Sequence, residues 1–160
     1  MNKSKSVDVE KKIRQWLLEE GWQLAPETRP DFRFVIIADD GSGKKLIISQ
    51  HSQKPDRVVV EGAISVSDDH AKNIAALPPK KRQDFLWDLR FDLLATGVEF
   101  SGLGEPLQRI SLVRPIFYDA LTKDMFMQRV SEVRKALLLV LWKIAWLMQE
   151  PPPQMGFIKE

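Results

Sequence analysis

Residues 121–150 constrain this chain more than any other stretch. Phe126, Val130, Val133, Leu137, Val140, Ile144 and Leu147 recur at alternating spacings of four and three. That spacing puts all of them on one stripe of a single long helix. Thr122 has the right type for its N-cap, and Asp124 complements the positive end of the helix dipole. Pro151, Pro152 and Pro153 stop the helix, because proline has no N–H to donate and its ring clashes with the preceding turn. Residues 136–148 are apolar all round except for Lys143. A second apolar face therefore appears in the C-terminal half, through Leu138, Leu141, Trp142, Ala145 and Met148. Two apolar faces need two partners. One is this domain's own sheet. The other is an N-terminal helix or another subunit.

Length shows how far the sheet can reach. A helix of about 28 residues is roughly 42 Å long at 1.5 Å per residue. A strand of 5–6 residues covers only about 17–20 Å. The part left over is the C-terminal half, where leaving a large apolar side chain in water forfeits about 1.5–3 kcal/mol. The favoured expectation is a homodimer, with Leu138, Leu141, Trp142, Ala145 and Met148 as the candidate interface. The competing expectation is that a first helix covers this face through Val9, Ile13, Trp16 and Leu17.

A chain of 160 residues is one domain by length, 1–160, with an ordered part over about 7–150 and a proline-led tail at 151–160. Hydrophobic content of 44% and charged content of 29% fit a globular protein. Twenty-four basic against 22 acidic residues leave a net charge of +2, too balanced for a nucleic-acid surface by itself. With no cysteine, disulfides, thiolate metal sites and cysteine nucleophiles are excluded. The opening residues have no apolar run behind them, so no signal peptide is expected. The apolar run of the last helix is shorter than the about 20 residues of a membrane span. The expected compartment is the cytoplasm, with no membrane partner.

Upstream, a first helix starts at Ser6 or Asp8 and closes on Gly21. A polar connector follows over 23–30. Three strands are expected, over 32–38, 46–50 and 58–66, alternating through Phe34, Ile36, Ile48, Val60 and Ile64. Short turns join them into an antiparallel meander. Ser67 starts a short helix, Pro78 and Pro79 break it, and a second helix runs to about Ala95 and closes on Gly97, its inner stripe being Phe85, Leu86, Leu89, Leu93 and Leu94. Phe100 lies in a fourth strand, and Ile110, Leu112 and Ile116 in a fifth. Pro115 cannot donate to a ladder and marks an edge or exit there. With the helices around Pro78 counted together, the order is α-β-β-β-α-β-β-α. Strands grouped rather than alternating with helices indicate an α+β fold, here with a five-stranded antiparallel sheet packed by helices.

Chemistry is sparse. Gly41, Ser42, Gly43, Lys44 and Lys45 have the composition of a phosphate loop, but the glycine spacing is wrong and a strand follows, so a hairpin turn is expected. Asp68, Asp69 and His70 are consecutive, and neighbours on a helix diverge by about 100°. They read as a helix start rather than a metal site. His51 sits in a turn without a partner. Lys80, Lys81 and Arg82 open a helix at the end where cations are unfavourable; a phosphate or nucleic-acid contact there is an alternative to a solvated cluster. Trp16, Trp87, Trp142 and Trp146 fall on predicted helices, where packing is the expected role. The outward strand positions Arg33, Val35, Ile37, Ile47, Val59, Glu61 and Val113 are more apolar than a solvated face requires.

Two stretches carry a resemblance. They are 77–90, Leu-Pro-Pro-Lys-Lys-Arg-Gln-Asp-Phe-Leu-Trp-Asp-Leu-Arg, and 116–127, Ile-Phe-Tyr-Asp-Ala-Leu-Thr-Lys-Asp-Met-Phe-Met. With the order of elements, they resemble an uncharacterised family of small archaeal and bacterial proteins, a domain of unknown function. That family's layout is similar to the type III secretion chaperone-like α+β fold. The resemblance implies a small antiparallel sheet with helices packed on it, a dimer, and binding of protein segments. It supplies no catalytic residue, metal or cofactor. The expected function is therefore a non-enzymatic, homodimeric protein- or peptide-binding module. The alternatives are a ligand-binding or enzymatic domain with a pocket between sheet and helices, and nucleic-acid binding through Lys80, Lys81 and Arg82.

Overall fold

The computed structural model describes residues 3–153. The elements are α1 (Lys3–Glu19), β1 (Gln23–Glu27), β2 (Phe32–Asp39), β3 (Lys45–His51), β4 (Arg57–Ser65), α2 (Asp68–Ala75), α3 (Pro79–Thr96), β5 (Glu99–Ser101), β6 (Arg109–Phe117), a 3-10 turn (Tyr118–Ala120) and α4 (Lys123–Met148). The strands form one six-stranded antiparallel sheet in the order β1-β2-β3-β4-β6-β5. The fold is α+β.

The sixth strand corrects the expected five. Residues 23–27 lack apolar alternation and contain Pro26, so the segment reads as connector. In the structure β1 pairs with β2 from Gln23↔Asp39 to Glu27↔Val35. It is an edge strand, largely exposed, where proline is tolerated. Its order comes from backbone pairing rather than from its side chains.

The described residues cluster into two compact units, with the divisions falling inside β4, β6 and α4. The first holds the described residues up to Glu61 together with Arg114–Ser131. There α1 packs on β1 and β2, burying Val9, Ile13 and Leu17. Trp16 stands 5.9 Å from Phe126, ring centre to ring centre. Lys123 binds Glu19 at 2.7 Å and Glu20 at 3.1 Å, and its hydrogen bond holds the Glu19 carboxyl below the usual range. The glycine-rich turn joins β2 to β3, and Asp39 and Asp40 accept from the Gly41 and Ser42 N–H groups at 2.8 and 2.9 Å.

The second unit holds Gly62–Val113 and the described residues from Glu132 on. Ser67 caps α2 by accepting the His70 N–H at 3.1 Å. Pro78 precedes α3, and Gly97 ends it with φ 76°. Thr122, in the first unit, caps α4 by accepting the Met125 N–H at 3.1 Å. The long stripe of α4 is buried from Phe126 to Ile144, with Leu147 half-buried. Phe34, Ile36, Ile48, Val60, Ile64, Ile110 and Leu112 are buried as the alternation requires, and Phe100 is half-buried. β5 pairs with β6 only as far as Val113, so Pro115 lies beyond that ladder.

Candidate interaction surface

In the second unit α3 and α4 each carry large apolar side chains that stay exposed among the described residues. The buried side of α3 is Phe85, Leu86, Leu89 and Leu93. At about 100° per residue, Trp87, Phe91 and Leu94 lie together on the opposite side. They are 51%, 62% and 69% exposed. Leu94, expected on the inner stripe, is thus an outward residue; it lies a full step past Leu93. The rings of Trp87 and Phe91 are 5.8 Å apart, and the Arg90 guanidinium sits 4.9 Å over Trp87.

On α4 the buried arc is wider than the long stripe. Of the candidate interface, Leu138 and Ala145 are buried within the chain, Leu141 and Met148 are half-buried, and Trp142 is 42% exposed. The outward apolar side is centred on Trp142 and on Trp146, which is 86% exposed. Lys143, next to Trp142, makes an ion pair with Asp92, next to Phe91, and so ties α4 to α3. The pattern Trp87, Phe91, Leu94 at intervals of four and three was available in the sequence, but it shares its helix with a second, equally apolar stripe.

The end of α4 is closed by a specific turn. Gln149 adopts φ 55° and its N–H donates to the Trp146 carbonyl at 3.2 Å, while the Glu150 N–H donates to the Ala145 carbonyl at 2.8 Å. This pair of bonds is the Schellman arrangement, which reverses the chain. The reversed chain is held twice more. Glu150 Oε1 lies 2.9 Å from His70 Nε2, and the Trp142 Nε1–H donates to the Pro153 carbonyl at 2.9 Å. An open recess beside the turn is lined by Trp146, Gln149 and Glu150. Residues 154–160, the rest of the expected tail, lie outside the described residues.

The first unit has its own pocket of about 440 Å³, lined from α1 by Ser6, Val7 and Glu10, from β2 by Phe32, Arg33 and Phe34, and by Ser52. The Arg33 Nη1–H donates to Ser6 Oγ at 3.3 Å. His51 ends β3, its ring edge-on to Phe32 at 5.0 Å and its Nδ1 accepting the Gln53 N–H at 3.1 Å. Arg82 is engaged structurally: it donates to the Ala75 and Leu77 carbonyls at 3.2 and 3.1 Å and pairs with Glu105 at 2.8 Å. Lys80 and Lys81 are exposed. Among the described residues no three His, Asp or Glu side chains are placed to share a metal ion, and no helix is long and apolar enough to cross a membrane.

The family model described as "Uncharacterized conserved protein (DUF2299)" matches residues 9–144. A crystal structure of an uncharacterised protein from Methanothermobacter thermautotrophicus is similar, with a TM-score of 0.78 at 30% identity, over 86% of this chain and 97% of that one. No match was found among curated proteins.

Proposed function

The chain belongs to the DUF2299 family of uncharacterised conserved proteins, and from that premise we propose that it is a non-enzymatic homodimer that binds a protein segment. The observation that carries this reading is the outward apolar side of the second unit: Trp87, Phe91 and Leu94 on α3, and Trp142 and Trp146 on α4. A chain acting alone gains nothing from five such side chains in water, and large apolar patches mark interaction sites. Burying each contributes about 1.5–3 kcal/mol, against an association cost of about 4–15 kcal/mol. The three side chains on α3 together with their copies are of the size that offsets this cost, which leaves the Trp142 side of α4 free. In a twofold arrangement each residue acts twice. A type III secretion chaperone-like layout, the resemblance read in the sequence, is part of the same proposal and implies a dimer that binds segments. It assigns no catalytic residue.

The test is sedimentation at concentrations on the order of tens of micromolar, where a stable dimer persists. The unmodified chain should run as a dimer, and Phe91→Glu with Trp146→Glu as a folded monomer. A wild-type monomer under these conditions sinks the self-association.

The pocket of the first unit favours a second reading, a small-ligand site between helix and sheet. Its volume falls in the usual range for such sites, and Arg33 and Ser6 supply polar anchors on an apolar wall. A ligand that raises the melting temperature of the wild type but not of Arg33→Ala would establish it.

A further inference from the structure

The return of the chain at the end of α4 brings Pro153, the last of three consecutive prolines, onto the indole N–H of Trp142. We propose that the Trp142 side of α4 is a seat for an extended proline-rich segment: Pro151–Pro153 occupies it within one chain, and a proline-rich segment of a partner protein takes the same place. The inference rests on the segment-binding half of the reading above and is independent of the dimer.

Consecutive prolines favour the polyproline II helix, which makes no internal hydrogen bonds. Proline has no N–H, so its carbonyl is the one backbone polar group such a segment offers. A tryptophan supplies what that segment lacks, an N–H donor on the edge of a large apolar ring. Aromatic-lined surfaces recognise proline-rich segments in this way. The Trp142 indole donating to Pro153 at 2.9 Å is one such contact. The spacing also matches. Two residues of polyproline II advance about 6.2 Å, and four residues of α-helix about 6.0 Å. A segment bonded at Trp142 and running antiparallel to α4 thus has the residue two places earlier, Pro151 in the chain's own tail, level with Trp146. The tail engages Trp142 and leaves Trp146 86% exposed, so the second ring remains open to a longer segment. The root of the tail is held by the turn at Gln149 and by the Glu150–His70 contact, which keeps the chain's own prolines at high local concentration. A partner segment has to displace them.

The experiment uses the full chain with isotope-labelled indoles. Its five tryptophans give one indole N–H signal each, and Trp142→Phe assigns the relevant one. Replacing Pro151, Pro152 and Pro153 together by glycine keeps every carbonyl but removes the proline conformation. In that variant the Trp142 signal should move towards the position of an unbonded indole. A peptide Pro-Pro-Pro-Gln-Met-Gly, titrated into the millimolar range, should return it saturably, and Trp142→Phe in the same background should weaken the peptide, read at Trp146, by about threefold to tenfold. A Trp142 signal indifferent to the glycine replacement overturns the proposal. So does a glycine-substituted peptide acting equally well, or a response confined to Trp16, Trp22 or Trp87. Should Trp142→Phe fail to fold, the glycine variant and the peptide still decide. Sedimentation of the same samples separates the readings. A dimer with no peptide response removes this inference alone, and a peptide response in a monomer removes the self-association alone.

Discussion

A Cβ placed on Gly62 would stand 2.8 Å from Leu137 Cδ1 and 3.1 Å from its Cγ. Gly62 lies in the middle of β4 and Leu137 in the buried stripe of α4, so the helix approaches the strand as closely as a missing side chain allows. Gly62→Ala should cost about 1–3 kcal/mol by overpacking. Leu137→Ala alone should cost about 2–5 kcal/mol through its cavity. In the double variant the two losses should sum to less than their separate values, because each relieves the other. Urea unfolding of the four proteins measures this, and strict additivity would show that the two sites do not press on each other.

Gly102 has φ 92°, and a Cβ there would fall 1.9 Å from the Arg109 carbonyl oxygen. The obstacle is backbone and cannot swing away, and the conformation itself disfavours a side chain. Gly102→Ala should therefore destabilise by more than the about 1 kcal/mol of an ordinary surface change. Thermal unfolding matching wild type would contradict this geometry.

Tyr118 is the sole tyrosine of the chain, so its ionisation can be followed by absorbance without overlap from another phenol. Burial pushes its pKa above the ordinary 10.0, while Ser6, Gln50 and the Arg33 charge pull the other way. The folded protein should titrate above pH 10 and the unfolded chain near it. The sign follows: both states hold the proton below pH 10, and above it the unfolded chain ionises first, so stability falls as pH rises through the folded pKa. Tyr118→Phe should remove that part of the alkaline loss. A folded transition at or below the unfolded one would refute the burial.

Arg82 closes the end of α2 and binds Glu105, whereas Lys80 and Lys81 are exposed. Arg82→Ala should lower stability by about 1–3 kcal/mol, since it leaves helix-end carbonyls without their charged donor. Lys80→Ala and Lys81→Ala should stay within about 0.5 kcal/mol. Equal effects at all three positions in chemical denaturation would count against this division of labour.

What the sequence determined by itself was local. Thr122 and Ser67 as caps, the stop at Gly97, the stripe from Phe126 to Ile144 and the alternation from Phe34 to Leu112 all follow from chemistry within a few residues or from a repeat. Tertiary structure decided three other things. β1 carries no pattern of its own and exists through its hydrogen bonds to β2. The covered side of a helix with two apolar sides is not written in its periodicity: Leu94 faces outward, and Leu138 and Ala145 face inward. The Pro153–Trp142 contact depends on a left-handed residue at Gln149, which nothing in its type requires. Periodicity states which side chains share a face. Whether that face meets protein or water depends on segments far away in the chain, whose positions only folding supplies.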